Sequence, residues 1–290
     1  MNPSIPMFFN KRKSPLDICG TYSGACFVVS NGPSLRALDL DQLKRPGIIS
    51  LSINNGASTL LQRGITPQFW TMVDHPSRFV KQIWMHPGIT KFIPVPALDK
   101  NIWDNEEWKD PGMYVRDCPN VVGYSRNNRF NGERFFTESS FNWGCGKKLG
   151  GCRTVLLPSI RIPYELGFRT LYLLGVDLNM SKNDPYHFKE GRSIGAVANN
   201  ENTYARIIRE YGPAIRKAAD LVGYKIYNCN PASKLTCFEH VPFEEAIKRT
   251  LAALPPFDKI STQGMYLEWS KKKELTREQA IEAVGLTGPT

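Results

Sequence analysis

Short apolar runs that stop at polar turns and give way to helical stretches recur along the first hundred residues, and this recurrence constrains the fold more than any other feature. Ala25 to Ser30 (Ala-Cys-Phe-Val-Val-Ser) ends in Asn31-Gly32-Pro33-Ser34-Leu35. Gly47 to Ile53 ends in Asn54-Asn55-Gly56 before a helical stretch, Ala57 to Arg63, and Phe69 to Val73 ends in Asp74-His75-Pro76-Ser77 before another that reaches Trp84. Lys91 to Val95 reads as a fourth strand. Runs this short, and apolar throughout, belong to strands buried on both faces. Strand, polar turn and helix in quick repetition imply a parallel sheet joined by crossover helices.

The rhythm pauses from Ala97 to about Leu149, where Asn, Gly, Pro and aromatic residues mix without a period. So long a stretch without secondary structure is unusual, so an inserted lid or subdomain with short elements is expected there. Periodicity resumes with a helix from Arg153 to Leu166 and a strand from Thr170 to Val176, which stops at Asp177. A long helix from Asn202 to Val222 and a last strand from Tyr224 to Cys229 follow. The expected fold is α/β: a Rossmann-like, mostly parallel sheet with flanking helices and an insert. Residues 1–22 read as an N-terminal arm, 23–256 as a nucleotide-binding catalytic domain with its insert at about 97–150, and 257–290 as a tail. In the tail, Thr276-x-x-Gln279 opens a short helix as a capping box.

Composition supports a globular chain. Of 290 residues, 41% are apolar and 22% charged, which excludes disordered, collagenous and coiled-coil classes. No apolar run approaches the roughly 18 residues of a membrane span. Ile5 to Phe9 precedes Lys11-Arg12-Lys13, the reverse of a secretory signal, so a cytoplasmic protein is expected. None of the seven cysteines forms a C-x-x-C pair, and reduced thiols are the expectation. The net charge of +10 favours polyanionic or phosphorylated partners. Between Tyr124 and Arg153, six bases alternate with Tyr124, Phe130, Phe135, Phe136, Phe141 and Trp143. Such a segment suits either nucleic acid, through phosphate contacts and base stacking, or the small core of the insert with solvated charges around it.

In sheets of this kind ligands bind beyond the carboxyl ends of the strands. Five of the six expected strands end in polar residues: Asn31 and Ser34, Asn54 and Asn55, Asp74 and His75, Asp177 and Asn179, Asn228 and Asn230. Any one cluster is also what an ordinary turn uses; five at one end of a sheet predict a site. Gly32 lets backbone approach a ligand, Pro33 suits the first turn of a helix, and N–H groups left over at such a turn attract phosphate. Asp39-Leu40-Asp41 fits a D-x-D metal pattern but follows a helical turn, and reads as surface acids.

Cys26 to Leu35 resembles the N-terminal signature of bacterial lipooligosaccharide sialyltransferases, whose first strand also runs into Asn-Gly-Pro-Ser-Leu. Leu166-Gly167-Phe168 through Gly175-Val176-Asp177, Asn202-Thr203 and Cys229-Asn230-Pro231 are similar to later stretches of that family. The archaeal 6-hydroxymethylpterin pyrophosphokinase-like proteins share the Gly-Pro-Ser-Leu turn and the Gly-Val-Asp strand end. The resemblance implies that Asn31 and Ser34 belong to a donor-phosphate turn, that Asn54 contacts the nucleotide, and that no metal is needed. His75 falls where those sialyltransferases place another asparagine. Asn199 falls where they place their general-base histidine, and asparagine takes no proton. His187, in Pro185-Tyr186-His187-Phe188, is the nearest replacement.

The leading expectation is a glycosyltransferase that uses a nucleotide sugar as co-substrate, with no tightly bound cofactor. Asn31, Gly32, Pro33, Ser34, Asn54, Asp74, His75 and Asn179 would hold the donor, and His187 and Asp177 would face the transferred group. Its acceptor would be a hydroxyl, on a modified DNA base as in bacteriophage DNA modification or on a phosphorylated glycan, with DNA held by residues 124–153. One alternative is ATP-dependent pyrophosphoryl transfer, with Mg2+ held by Asp74 and Asp177. The other is a non-catalytic nucleic-acid-binding module.

Overall fold

A computed structural model describes residues 7–102, 112–127, 130–142, 154–179 and 194–254. Strands β1 (Phe8–Phe9), β2 (Pro15–Leu16), β3 (Ala25–Val29), β4 (Ser50–Ile53), β5 (Phe69–Thr71), β6 (Thr90–Pro94) and β7 (Val121–Tyr124) come first, with helices α1 (Gly56–Gln62) and α2 (Lys81–Met85) among them. A parallel pair, β8 (Arg126–Asn127) and β9 (Phe141–Asn142), forms a small separate sheet. Helix α3 (Leu156–Leu166), β10 (Thr170–Leu174), helices α4 (Ile194–Arg206) and α5 (Gly212–Leu221), β11 (Lys225–Asn228), β12 (Glu239–His240) and α6 (Phe243–Ala252) complete the order. Ten strands form one sheet in the order β12-β11-β10-β3-β4-β5-β6-β7-β1-β2. Pairing is parallel from β12 to β7; β1 runs antiparallel to β7, and β2 to β1.

Alternation along β3 shows why its sequence is apolar throughout. Cys26 and Val28 join the core on one face, with Leu51, Leu171 and the buried residues of α3. Phe27 and Val29 join the core on the other, with Tyr172, Leu174, Phe243 and Ile247. Each such side chain contributes about 1.5–3 kcal/mol when fully buried, and a strand covered on both sides collects this from every residue.

Two expectations are corrected here. Phe8–Phe9 and Pro15–Leu16, read as part of an arm, extend the sheet edge as a hairpin on β7. Val121–Tyr124, read as part of an insert, is a strand of the main sheet, too short to show a period of its own. The aromatics of the following segment are core: Tyr124, Phe135 and Phe141 are at most 1% exposed, and Phe136 is buried. Phe130 stacks on Tyr211 with ring centroids 4.1 Å apart. None of these four buried rings presents a face for stacking on a base.

The helix expected between Asn202 and Val222 contains a break in register. Pro213 has no N–H, and its ring clashes with a carbonyl four residues earlier in a regular α-helix. The chain answers with a π turn, Ile207–Tyr211, in which the Gly212 N–H reaches the Ile207 carbonyl. A Cβ at Gly212 would lie 2.7 Å from Leu235 Cδ1 and 2.9 Å from Cys237 Sγ, so a larger residue there would have to displace them.

Lys91 in β6 is wholly buried, and its ammonium donates to the carbonyls of His86, Ile89 and Pro119 at 2.8–2.9 Å. Burial lowers its pKa to about 8. The unfolded chain therefore holds this proton between pH 8 and 10.5 while the folded chain releases it, so this site's contribution to stability rises over that window. The buried thiols Cys118 and Cys229, pushed up to about 12, act in the opposite sense at higher pH. The stability of the wild type minus that of Lys91→Met is expected to grow between pH 8 and 10.5 by up to about 3 kcal/mol. Urea titrations at a series of pH values measure it; a constant gap counts against the assignment.

Candidate functional site

The sheet order places the switch point. From β3 the chain winds to one side through β4, β5, β6 and β7, then returns to β10 on the other side of β3 and continues to β11. A crevice opens where two such halves diverge, outside the carboxyl ends of the central strands. Here those ends are Ser30-Asn31-Gly32 after β3 and Gly175-Val176-Asp177 after β10.

The two exits run side by side: the Ser30 N–H donates to the Leu174 carbonyl and the Gly32 N–H to that of Gly175, both at 2.8 Å. A Cβ on Gly32 would lie 2.4 Å from both the Gly175 oxygen and Asp177 Oδ2, so only glycine fits. Pro33 opens a 3-10 turn, Pro33–Ala37. The Ser34 N–H then donates to Asp177 Oδ2 (2.9 Å), and the Ser34 hydroxyl to Asp177 Oδ1 (2.5 Å). From the loop after β11, Asn230 Nδ2 donates to the same Oδ1 (2.7 Å). One buried carboxylate thus ties the exits of β3, β10 and β11 together. Three of its roughly four acceptor positions are taken. The N–H groups expected from the sequence to be left over for phosphate at Gly32 and Ser34 are bonded in this arrangement, because Gly175 and Asp177 reach them first.

Asn54, after β4, takes a left-handed φ of 49°, and its carbonyl accepts from Trp70 Nε1 at 2.7 Å. The side-chain oxygens of Asn31, Asn54 and Asn55 are buried without a hydrogen-bond partner. Gly56 packs so closely on Asn31 that a Cβ there would lie 2.3 Å from its Oδ1. For Asn31 and Asn54 the amide nitrogen is the polar side-chain atom left for the cleft, and it donates to no described residue.

These groups border a cavity of about 100 Å³. Asn31, Gly32, Asn54, Asp177 and Asn179 give it a polar wall. Thr154, Val155 and Leu156 at the start of α3, with Tyr204 and Ile207 at the join of α4 and the π turn, also line it, as do Ile53, Val176 and Leu178 at the strand ends. Among the described residues, no Lys, Arg or His lines the cavity, and Asp177 is its single carboxylate.

Of the remaining expected residues, Ser34 reaches the site through Asp177. Pro33, Asp74 and His75 do not line the cavity. Asp74 pairs with Arg78 at 3.8 Å, and His75 Nδ1 lies 2.8 Å from the Ser77 hydroxyl in the cap of the turn Pro76–Arg78. His187 lies outside the described residues, as does the tail with Thr276 and Gln279; Asn199 falls within α4. Of the two carboxylates named for magnesium, Asp177 borders the cavity and Asp74 does not. No group of three His, Cys, Asp or Glu side chains converges among the described residues. Asp39 caps the 3-10 turn that follows it, and Asp41 pairs with Lys44, the surface role expected of them. Tyr204 and Ile207 were missed because a helical period reads alike whether its inner face meets core or cavity.

Fold and site together define a doubly wound α/β protein with a cleft at the topological switch point. The sequence model of the 6-hydroxymethylpterin diphosphokinase MptE-like family matches residues 3–183, and the chain belongs to that family. Among solved structures it is similar to the MAf glycosyltransferase from Magnetospirillum magneticum AMB-1, at 18% identity and a TM-score of 0.47. That match covers 86% of this chain and 38% of the other, so the chain spans well under half the length of that protein. No curated protein matches. Among the described residues no helix is long and apolar enough to cross a membrane.

Proposed function

We propose that this chain is a transferase that holds a nucleotide-activated sugar in the switch-point cleft and passes the sugar to a hydroxyl acceptor. The observation that carries this reading is the cleft's lining: amide and backbone groups, one carboxylate, and no cation among the described residues. A sugar nucleotide, with one or two phosphates, asks for less compensating charge than a triphosphate does. The Asn31 and Asn54 amides supply N–H donors to its phosphate, and Asp177 sets the shape of the site by holding Ser34 and Asn230. In the reaction the acceptor oxygen forms a bond to the anomeric carbon, the bond from that carbon to the phosphate oxygen breaks, and the acceptor proton passes to a base. His187 is the side chain this reading assigns as base, since imidazole titrates near operating pH. The net charge of +10 makes a phosphorylated glycan and DNA the acceptors to assay.

A second reading, diphosphoryl transfer from ATP, is favoured by membership of the diphosphokinase-like family. Melting the full chain with CMP, UDP, GDP and their sugar conjugates, and with ATP with and without magnesium, separates the two. A ligand at 100 times its dissociation constant stabilises by about 2.7 kcal/mol, which is roughly 5–10 °C for a domain of this size. The expected result is a magnesium-independent rise with one sugar nucleotide. A rise with ATP and magnesium alone overturns the proposal in favour of the second reading.

A further inference from the structure

The polar groups at the strand ends account for a phosphate and a sugar; the wall that the helices contribute has no part in that chemistry. It is built from Val155 and Leu156 at the start of α3 and from Tyr204 and Ile207, which stand three residues apart and so share a helix face. Val155, Leu156 and Ile207 are buried, and Tyr204 is partly buried. Tyr204 is the one aromatic side chain among the described residues that line the cavity. Resting on the donor reading above, we propose that this wall is the subsite for the planar heteroaromatic base of the nucleotide, with Tyr204 as the stacking residue.

Three features favour a flat ring over a sugar on this side. A sugar ring presents hydroxyls around its rim, and each needs a polar partner when water is removed. Apart from Thr154 and the Tyr204 phenol, this wall offers carbon. A base has two apolar faces and carries its polar atoms at the edge, so it suits a cleft lined by both apolar side chains and amide groups.

The angle of Tyr204 is set by the helix that carries it, and that helix is held just downstream. The π turn begins at Ile207 and is imposed by Pro213. Beyond it, Tyr211 stacks on Phe130, and Ala214 packs so tightly on Gly132 that a Cβ on that glycine would lie 2.5 Å from the alanine Cβ. Gly212 meets Leu235 nearly as closely, at 2.7 Å from a Cβ built there. The helix that carries Tyr204 is therefore anchored to the core about two turns downstream, which suits a platform whose backbone needs no ordering on binding.

Calorimetric titration of the full chain with CMP, UDP, GDP and ATP, and with ribose 5-phosphate as the base-free probe, tests this. Tyr204→Ala is expected to weaken the bound nucleotide about tenfold or more, as base–aromatic stacking does elsewhere. Tyr204→Phe is expected to stay within about threefold, because the ring is kept. Ribose 5-phosphate is expected to bind all variants alike. Should Tyr204→Ala fail to fold, Tyr204→Leu, which keeps apolar volume without a ring, replaces it with the same expected loss. Equal nucleotide affinity in wild type, Ala and Leu variants overturns the subsite while leaving the donor reading standing. A wild-type chain that binds none of the four nucleotides overturns both.

Discussion

Replacing Arg161 with leucine is expected to lower the stability of the protein by about 3–5 kcal/mol, the cost of leaving one half of a buried charge pair behind. The Arg161 side chain is 2% exposed in the middle of α3, and its Nε lies 2.5 Å from Glu165 Oε1. Its other nitrogens donate to the backbone carbonyls of Phe135 and, at 2.7 Å, Glu138. One guanidinium therefore fastens the segment around Phe135 and Phe136 to the helix beneath it. Leucine fills part of the volume but strands a carboxylate and two carbonyls. For a domain of this size the loss corresponds to a melting temperature about 10 °C lower or more, measurable by calorimetry. Replacing Glu165 with leucine as well is expected to restore part of the loss, since the uncompensated charge then disappears. A single-variant loss below about 1 kcal/mol, the range of an exposed ion pair, counts against the assignment.

Asp177→Ala is expected to have the largest effect on the site. The substitution releases the Ser34 N–H, the Ser34 hydroxyl and the Asn230 amide together. Hydrogen bonds to a charged group contribute about 1.5–3 kcal/mol each, and water at the cleft replaces part of them, so a net loss of about 2–3 kcal/mol is expected. Loosening three strand exits also displaces Asn31 and Gly32, and displacements of about 1 Å in a site cost on the order of 100-fold in rate. Asp177→Asn keeps one acceptor oxygen and sets an amide against a donor, so its losses should be smaller but of the same kind. The discriminating measurement is the pairing of sugar-transfer rate with chemical denaturation in both variants. Rate and stability falling in step mark Asp177 as a positioning residue. An Asn variant with wild-type stability and no transfer would instead assign it the proton.

Much of this fold is legible locally. Cys26, Phe27, Val28 and Val29 are all apolar because both faces of β3 are covered, and no neighbour needs to be known to read them as a buried strand. The same holds for Leu171 to Leu174. Gly32 is written into the chain by a steric demand that no other residue satisfies, although the oxygens that impose it come from Gly175 and Asp177, far along the sequence. Short elements escaped for the opposite reason. Phe8–Phe9 and Pro15–Leu16 are strands only because β7 offers an edge to pair with, and Val121–Tyr124 is a strand only because β6 lies beside it. Two to four residues carry no period, and their conformation is chosen by the partner.

The candidate site divides along the same line. By itself, the sequence determined the polar character of the strand ends, with Asn31, Asn54 and Asp177 at the turns, because turn chemistry and strand length are properties of a few neighbouring residues. Only the tertiary structure decided that β10 returns to the side of β3, which brings Asp177 onto Ser34 across 143 positions of sequence and opens the cleft there. The same return leaves Asp74 and His75 to their own turn and brings Tyr204, a residue of an amphipathic helix, to the lining of the cleft. Sheet order is settled by pairings between distant segments and by the packing of helices over them, and no local pattern contains that information.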